Sequence, residues 1–119
     1  MSLCILSGAK LTTVAASLFT LSWTHSVEKI EWHEKWGLMN SHLKMIEARM
    51  QGSGAGMDPP EGSIFSNGWW IYSPKEFKIK ELLLSTSNTQ IENWKICYNG
   101  TCKILKKNQE KPIKIYPCK

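Results

Sequence analysis

The hexapeptide Cys-Tyr-Asn-Gly-Thr-Cys at residues 97–102 constrains the fold more than any other feature of this chain. Asn99-Gly100 at its centre is the strongest short signal for a two-residue type I′ turn, because both turn residues must adopt positive φ. In such a hairpin Cys97 lies opposite Cys102 in a non-hydrogen-bonded pair, where the Cα atoms approach to about 4.5 Å. A disulfide fits this geometry without moving the backbone. The sequence therefore predicts a β-hairpin closed by a disulfide.

The other two cysteines, Cys4 and Cys118, lie near opposite ends of the chain. If they pair, the bridge closes almost the whole chain into one loop, for which the chain-entropy model gives about 4 to 5 kcal/mol of stability. The alternative for either pair is two thiols, buried or free. Two disulfides would indicate an oxidising compartment.

Apolar and polar residues alternate over much of the chain. Residues 19–24 alternate Phe19, Leu21 and Trp23 with threonine and serine, which is the pattern of a half-buried strand. Further strand-like runs lie at residues 3–6, 11–14, 68–72, 77–84, 94–98, 104–105 and 113–116. The parity of the large residues changes after His25, which predicts a bulge or turn near residues 26–29. With 119 residues, the chain suits a single domain, all-β, in a small antiparallel β-sandwich or barrel.

Residues 39–50 fit two kinds of secondary structure. Apolar residues recur there at helical spacing, with a serine that could cap the start and a glycine that could end the helix: Met39, Leu43, Ile46, Met50, Ser41 and Gly52. A strand would instead use Leu43 and Met45 on one face and then, after a shift, Ala48 and Met50. Residue propensity favours a short helix.

Residues 1–20 also have two interpretations. The apolar stretch at residues 11–21 follows Lys10 and has the length of the hydrophobic region of a signal peptide. It is too short and too rich in threonine and serine to span a membrane as a helix. Because Lys10 comes late and no basic residue precedes it, we predict that the segment is retained as strands.

Residues 52–60 read Gly-Ser-Gly-Ala-Gly-Met-Asp-Pro-Pro. The glycines allow backbone conformations that other residues rarely adopt, and the two prolines at the end fix φ. Exposed amides in such a loop can bind anions, but the lysine of a phosphate-binding loop is missing from the run and Asp58 would repel phosphate. A structural turn is therefore favoured over an anion site. Met57 and the two prolines could instead form a hydrophobic lip beside Trp69 and Trp70. The candidate binding residues of the run are Gly52, Ser53, Gly54, Gly56, Met57 and Asp58.

Few residues suggest chemistry. A helix could bring His25 and Glu28 to one metal ion, but on a strand His25 points to the apolar face and Glu28 lies beyond a bulge. None of Ser22, Ser26 and Ser53 lies in the strand-turn-helix elbow that exposes a nucleophile. We therefore predict no enzyme activity, no metal and no cofactor.

The formal net charge of +5 comes largely from lysines in the C-terminal third. Arg49 is the only arginine, so the guanidinium forks that often contact nucleic acid are missing, and we predict no nucleic-acid binding. The lysines could make peripheral contact with an anionic membrane or simply form a solvated edge.

Several segments, taken in order, resemble a known bacterial family. They are Trp23-Thr-His-Ser-Val-Glu-Lys29, the 52–60 run, Gly68-Trp69-Trp70, and Trp94-Lys-Ile-Cys97 followed by Gly100-Thr-Cys102, with Leu3-Cys4 and Pro117-Cys118 at the ends. Together they are similar to domain of unknown function 1850. The resemblance implies a single, mostly β domain with no assigned activity, and it reverses the preference for a helix at residues 39–50. One departure follows Trp32: where the family usually has paired acids, this chain has His33-Glu34-Lys35.

Members of the family tend to be encoded beside tripartite ATP-independent periplasmic transporters, which implies an accessory role in uptake and a periplasmic location. We therefore expect a non-enzymatic accessory or binding domain of a solute transporter. Its expected contact surface is the 52–60 run with Trp23, His25 and Trp69. The alternative is a small metal- or ligand-binding extracytoplasmic protein, with His25, Glu28 and Glu47 as ligands.

Overall fold

The computed structural model describes residues 2–25, 29–52, 59–85, 94–105 and 111–118. In these residues the regular secondary structure consists of twelve β-strands, without a helix. The strands are β1 (Ser2–Ser7), β2 (Lys10–Val14), β3 (Leu18–Thr24), β4 (Glu31–Met39), β5 (His42–Gln51), β6 (Ile64–Ser66), β7 (Trp69–Tyr72), β8 (Lys78–Ile79), β9 (Leu82–Leu84), β10 (Trp94–Tyr98), β11 (Thr101–Leu105) and β12 (Ile113–Cys118). In these ranges no helix is long and apolar enough to cross a membrane. The prediction of an all-β fold is confirmed.

The strands form two antiparallel sheets. The smaller sheet has the order β2-β1-β12-β9, and the larger has the order β11-β10-β3-β4-β5-β7-β6, with β8 also paired to β5. Their facing sides share one hydrophobic core, to which β1 contributes Leu3 and Ile5 and the larger sheet contributes Phe19, Leu21 and Trp36. We call the side of the larger sheet that bears these three residues its inner face. The arrangement is that of a small β-sandwich.

The hairpin of β10 and β11 has the predicted register and turn. Cys97 lies opposite Cys102, with 4.0 Å between their Cα atoms and a disulfide between them. Asn99 and Gly100 both have positive φ, 50° and 77°, as a type I′ turn requires. The Asn99 side-chain amide also donates a hydrogen bond of 2.9 Å to the Ala15 carbonyl, which ties the turn to the segment between β2 and β3.

The second predicted disulfide, between Cys4 and Cys118, is also present. It joins the neighbouring strands β1 and β12, which pair from Ser2 opposite Cys118 to Leu6 opposite Lys114. The bridge therefore reinforces a contact between residues 114 positions apart in the chain. Two disulfides indicate an oxidising, extracytoplasmic environment.

The helix that the residue spacing favours at residues 39–50 is wrong, because His42–Gln51 forms the longest strand of the fold. The register shifts where Lys35 faces Glu47 but Trp36 faces Met45, so Ile46 is an extra residue in β5. This β-bulge moves the inward side chains from Leu43 and Met45 to Ala48 and Met50, which is the shift that the strand alternative requires. Pairing with β4 on one side and with β7 and β8 on the other overrides the helical propensity of the segment.

Residues near the N-terminus belong to the sandwich. Strands β1 and β2 pair with each other, and Leu3 is fully buried. The retention of residues 1–20 stays a prediction. The bulge or turn predicted near residues 26–29 lies mostly outside the described residues. On either side of it, the His25 N–H donates to the Ile30 carbonyl and the Lys29 N–H donates to the His25 carbonyl.

Candidate functional site

A continuous row of large side chains crosses six strands of the larger sheet. Cross-strand register places Trp23 beside Trp32, Trp32 beside Met50, Met50 beside Trp70 and Trp70 beside Phe65. Trp94 on β10 begins the row, with its ring centroid 4.9 Å from that of Trp23. Directly opposed residues on neighbouring strands point to the same side of a sheet, so all six lie on the inner face. We call Trp94, Trp23, Trp32, Met50, Trp70 and Phe65 the aromatic row.

The rings of the aromatic row pack against one another. Trp23 and Trp32 stack almost in parallel, with 6.0 Å between centroids and an interplanar angle of 7°. Trp70 and Phe65 are tilted, with centroids 4.9 Å apart. Aromatic pairs in these arrangements stabilise a surface by about 0.5–1.5 kcal/mol beyond their buried area. The row is therefore a preorganised surface.

The two ends of the row differ in exposure, and the four residues between them are half-buried. Trp94 is 6% exposed and donates its indole N–H to the Ser85 carbonyl, whereas Phe65 on β6 is 52% exposed. Trp94 belongs to the hydrophobic core and Trp23 packs against it, but the other four members lie beyond the core of the described residues. The smaller sheet reaches β5 through β12, while the row continues two strands further. Among the described residues, part of the row is therefore an apolar inner face that extends past the smaller sheet.

Glu34 interrupts the apolar inner face beside the aromatic row. It lies between Trp32 and Trp36 on β4, directly opposite Leu21 and Ala48. The Trp36 indole N–H donates a 3.1 Å hydrogen bond to one carboxylate oxygen of Glu34. Burial raises the pKa of Glu34, and this hydrogen bond opposes the rise. Two-residue periodicity could have revealed the inward carboxyl, because Trp32 and Trp36 share its parity.

The outer face carries a different group of side chains. Trp69 lies there against His33, with ring centroids 5.0 Å apart, while Trp70 points to the inner face. Burial lowers the pKa of His33, nearby Glu31 raises it, and the positive charges of Lys95 and Arg49 lower it further. The expected surface of Trp23, His25 and Trp69 is therefore divided, because Trp23 and Trp69 lie on opposite faces of the sheet.

Much of the predicted binding loop lies outside the described residues, namely Ser53, Gly54, Gly56, Met57 and Asp58. Gly52, at its start, donates its N–H to the Gly68 carbonyl at 3.1 Å. This hydrogen bond places the beginning of the run beside the turn between β6 and β7, next to Trp69. The hydrophobic lip beside the two tryptophans stays a prediction.

The described residues bring no three His, Cys, Asp or Glu side chains together for a metal ion. Of the alternative ligands, Glu28 is outside the described residues and Glu47 forms a 2.8 Å ion pair with Arg49. Across the sheet, Glu47 is level with Lys35 on β4 and with Thr20 on β3. His25 lies five residues beyond Thr20 in the chain, a distance of roughly 16 Å along a strand, so Glu47 and His25 are far apart. These ligands do not converge in this part of the fold.

Ser22 lies opposite His33, and the His33 ring is 3.9 Å from the Glu31 carboxylate. Within the described chain, no hydrogen bond joins Ser22 to His33. A serine nucleophile needs that hydrogen bond for its activation, so the geometry falls short of a catalytic triad.

No curated protein and no solved structure matches this chain. A family model described as Domain of unknown function (DUF1850) matches residues 19–105. The matched residues run from β3 to β11 and include the whole aromatic row, whereas β1, β2 and β12 lie outside them. The chain therefore belongs to the family Domain of unknown function (DUF1850).

Proposed function

We propose that this protein is a non-enzymatic binding domain that acts in the periplasm as an accessory of a solute transporter, with a protein partner docking on the exposed end of the aromatic row. The observation that carries the proposal is that the row extends past the smaller sheet among the described residues and ends in Phe65, which is 52% exposed, beside the half-buried Trp70. Large aromatic residues and methionine are enriched at protein interfaces, where a few of them supply most of the binding energy.

The edge of the larger sheet favours an extended segment as the docking partner. β6 ends the sheet in the described residues, and all three of its residues are exposed. Phe65 lies on the inner face, and Ile64, which is 67% exposed, lies on the outer face. A partner strand added to β6 would pair with its backbone and cover both side chains.

The location and the transporter rest on different support. The two disulfides favour a compartment outside the cytoplasm, of which the periplasm is the bacterial case. The transporter rests on the family resemblance alone, which implies that the genes of family members lie beside those of such a transporter. The lysines of the C-terminal third are compatible with peripheral contact with a membrane that holds such a transporter.

The test measures binding of the oxidised protein to purified components of a tripartite ATP-independent periplasmic transporter. The Phe65→Ala variant should weaken binding at least tenfold, because truncating a central aromatic contact commonly costs about 2 kcal/mol or more. Trp69→Ala is the matched control, since Trp69 lies on the same hairpin but on the opposite face. It should bind like the parent protein.

Thermal unfolding of both variants shows whether each is folded before binding is compared. Absence of binding to every component at tens of micromolar would refute the transporter role. Equal losses in Phe65→Ala and Trp69→Ala would refute docking on the aromatic row.

A further inference from the structure

A second, separate feature lies at the opposite edge of the sandwich. A cleft of about 370 Å³ opens between β1 and β2 of the smaller sheet and β10 and β11 of the larger sheet. Its deep wall is formed by buried apolar side chains, with Ile5 on one sheet and Ile96 on the other. This volume lies within the range of about 300–1,000 Å³ that is typical of small-molecule sites.

Polar side chains point into the cleft where a closed sandwich would place apolar ones. Thr12 faces Ile5 across β1 and β2, and Lys10 is two residues from Thr12 on the same side. On the larger sheet Lys103 faces Ile96. Both lysines line the cleft, and no acidic side chain does so among the described residues. The cleft is therefore positively charged at its mouth and apolar at its base.

Tyr98 provides an additional polar group at this site. The residue is only 8% exposed, and its hydroxyl is buried without a hydrogen-bond partner in the described part of the protein. The ammonium group of Lys103 lies 5.8 Å from the centroid of the Tyr98 ring. A buried hydroxyl without a partner is costly, so an acceptor in the cleft would relieve that cost once a small movement of the side chains that cover the hydroxyl let the two groups meet.

We propose that this cleft binds an organic carboxylate with an apolar body. The carboxylate would accept a hydrogen bond from the Tyr98 hydroxyl and pair with Lys103 and Lys10, while the apolar body would lie against Ile5 and Ile96. Inorganic anions would leave the apolar wall unused, and neutral lipids would leave the lysines without a counter-charge.

Inward lysines have a second explanation. β2 and β11 are edge strands, and an inward charge on an edge strand discourages pairing with another molecule. That explanation accounts for Lys10 and Lys103, but it requires neither the buried hydroxyl of Tyr98 nor an apolar cleft behind the lysines. The two explanations therefore differ in what they predict for ligand binding.

The test uses decanoate, kept below its micelle concentration, as the probe for the oxidised full chain. Calorimetry should detect binding of decanoate, and chemical shift changes in NMR spectra should map to the cleft. Decanol lacks the charge, acetate lacks the apolar body and decyltrimethylammonium has the opposite charge, so each should bind at least tenfold more weakly. Added salt should weaken decanoate binding, because the mouth of the cleft is exposed.

Three variants assign the contacts. Tyr98→Phe should weaken decanoate binding at least tenfold, since hydrogen bonds to charged groups are worth about that much. It should leave the ligand-free protein at least as stable as the parent, because it removes a buried hydroxyl that has no partner among the described residues. Lys103→Gln should also weaken binding, whereas Lys95→Gln, on the opposite face of β10, should not.

Several outcomes would overturn the proposal. They are equal affinity for decanol and decanoate, unchanged binding by Tyr98→Phe, or loss of stability in ligand-free Tyr98→Phe, which would mean that the hydroxyl already has an internal partner. Self-association of Lys103→Gln with undiminished decanoate binding would support edge protection instead. Binding to phosphatidylglycerol vesicles without binding to free decanoate would identify a lipid surface rather than a soluble carboxylate as the ligand.

Discussion

Removal of the disulfide between Cys4 and Cys118 should destabilise the protein more than removal of the disulfide between Cys97 and Cys102. The first closes a loop of 114 residues and the second a loop of 5. In the chain-entropy model these loops restrict the unfolded chain by about 16 and about 7 cal/mol/K, which corresponds to about 4.8 and about 2.1 kcal/mol at 25 °C. The long bridge should therefore contribute more than twice as much to the free energy of unfolding.

The assay compares two double variants, Cys4→Ala/Cys118→Ala and Cys97→Ala/Cys102→Ala, with the parent protein in urea. Alanine is chosen because Cys4 is buried, and a serine hydroxyl there would add a separate penalty. With an unfolding entropy of about 2.1 cal/mol/K per residue, the expected losses in Tm are about 20 °C and about 8 °C. The unfolded state also expands when the long loop opens, so the m-value should rise in the first variant alone.

Equal or reversed losses would refute this reasoning, because loop length would then not govern the effect of the bridges. An unchanged m-value in Cys4→Ala/Cys118→Ala would show that the unfolded chain is compact without the bridge.

Three further substitutions test the inner face and the hairpin. Glu34→Gln should raise Tm at neutral pH, because burial raises the pKa of the Glu34 carboxyl in the folded protein above its ordinary value. The parent protein therefore loses stability as the pH rises through that folded pKa, and the gain from Glu34→Gln should vanish below the unfolded pKa of about 4.3. Glu61→Gln, at an exposed site, is the control, and an equal effect at pH 4 and pH 8 would contradict the burial of Glu34. Trp36→Ala should cost about 3–5 kcal/mol in urea unfolding, because Trp36 is 2% exposed. If Trp69→Ala costs as much, the assignment of faces is wrong. Gly100→Ala should lower the free energy of unfolding by about 1–2 kcal/mol, because an alanine is strained at the positive φ of this position. Steric contact adds nothing, since the new methyl group would meet no atom within 4 Å. An unchanged Tm would contradict this prediction.

Local patterns made much of the fold predictable. The Asn99-Gly100 turn and the alternation through β3 depend on residues that are close in the chain, and both appear as predicted. The segment at residues 39–50 forms a strand although its apolar residues have helical spacing. The bulge at Ile46 interrupts the two-residue period of the strand, and the apolar residues then recur at intervals that resemble those of a helix. The register shift depends on pairing with β4, which no local pattern reports.

The candidate sites were less predictable than the fold. Aromatic content pointed to Trp23, Trp69 and Trp70, but not to which of them share a surface. Adjacent residues of a strand point in opposite directions, so Trp69 joins His33 on the outer face and Trp70 joins the aromatic row. Tyr98 was visible only as a hairpin residue, since its unpaired hydroxyl becomes apparent when the second sheet packs over it.

The sequence by itself determined the class of fold, the hairpin and its disulfide, and the family, because turn chemistry, strand alternation and ordered motifs can be read along a single chain. The tertiary structure alone decided that Trp94, Trp23, Trp32, Met50, Trp70 and Phe65 form one row, and that Lys10 and Lys103 face one cleft. The physical reason is that the direction of a side chain depends on its own strand, whereas the side chains that it contacts depend on which distant strands pair. That choice follows from the hydrophobic core and the backbone hydrogen bonds of the whole sandwich.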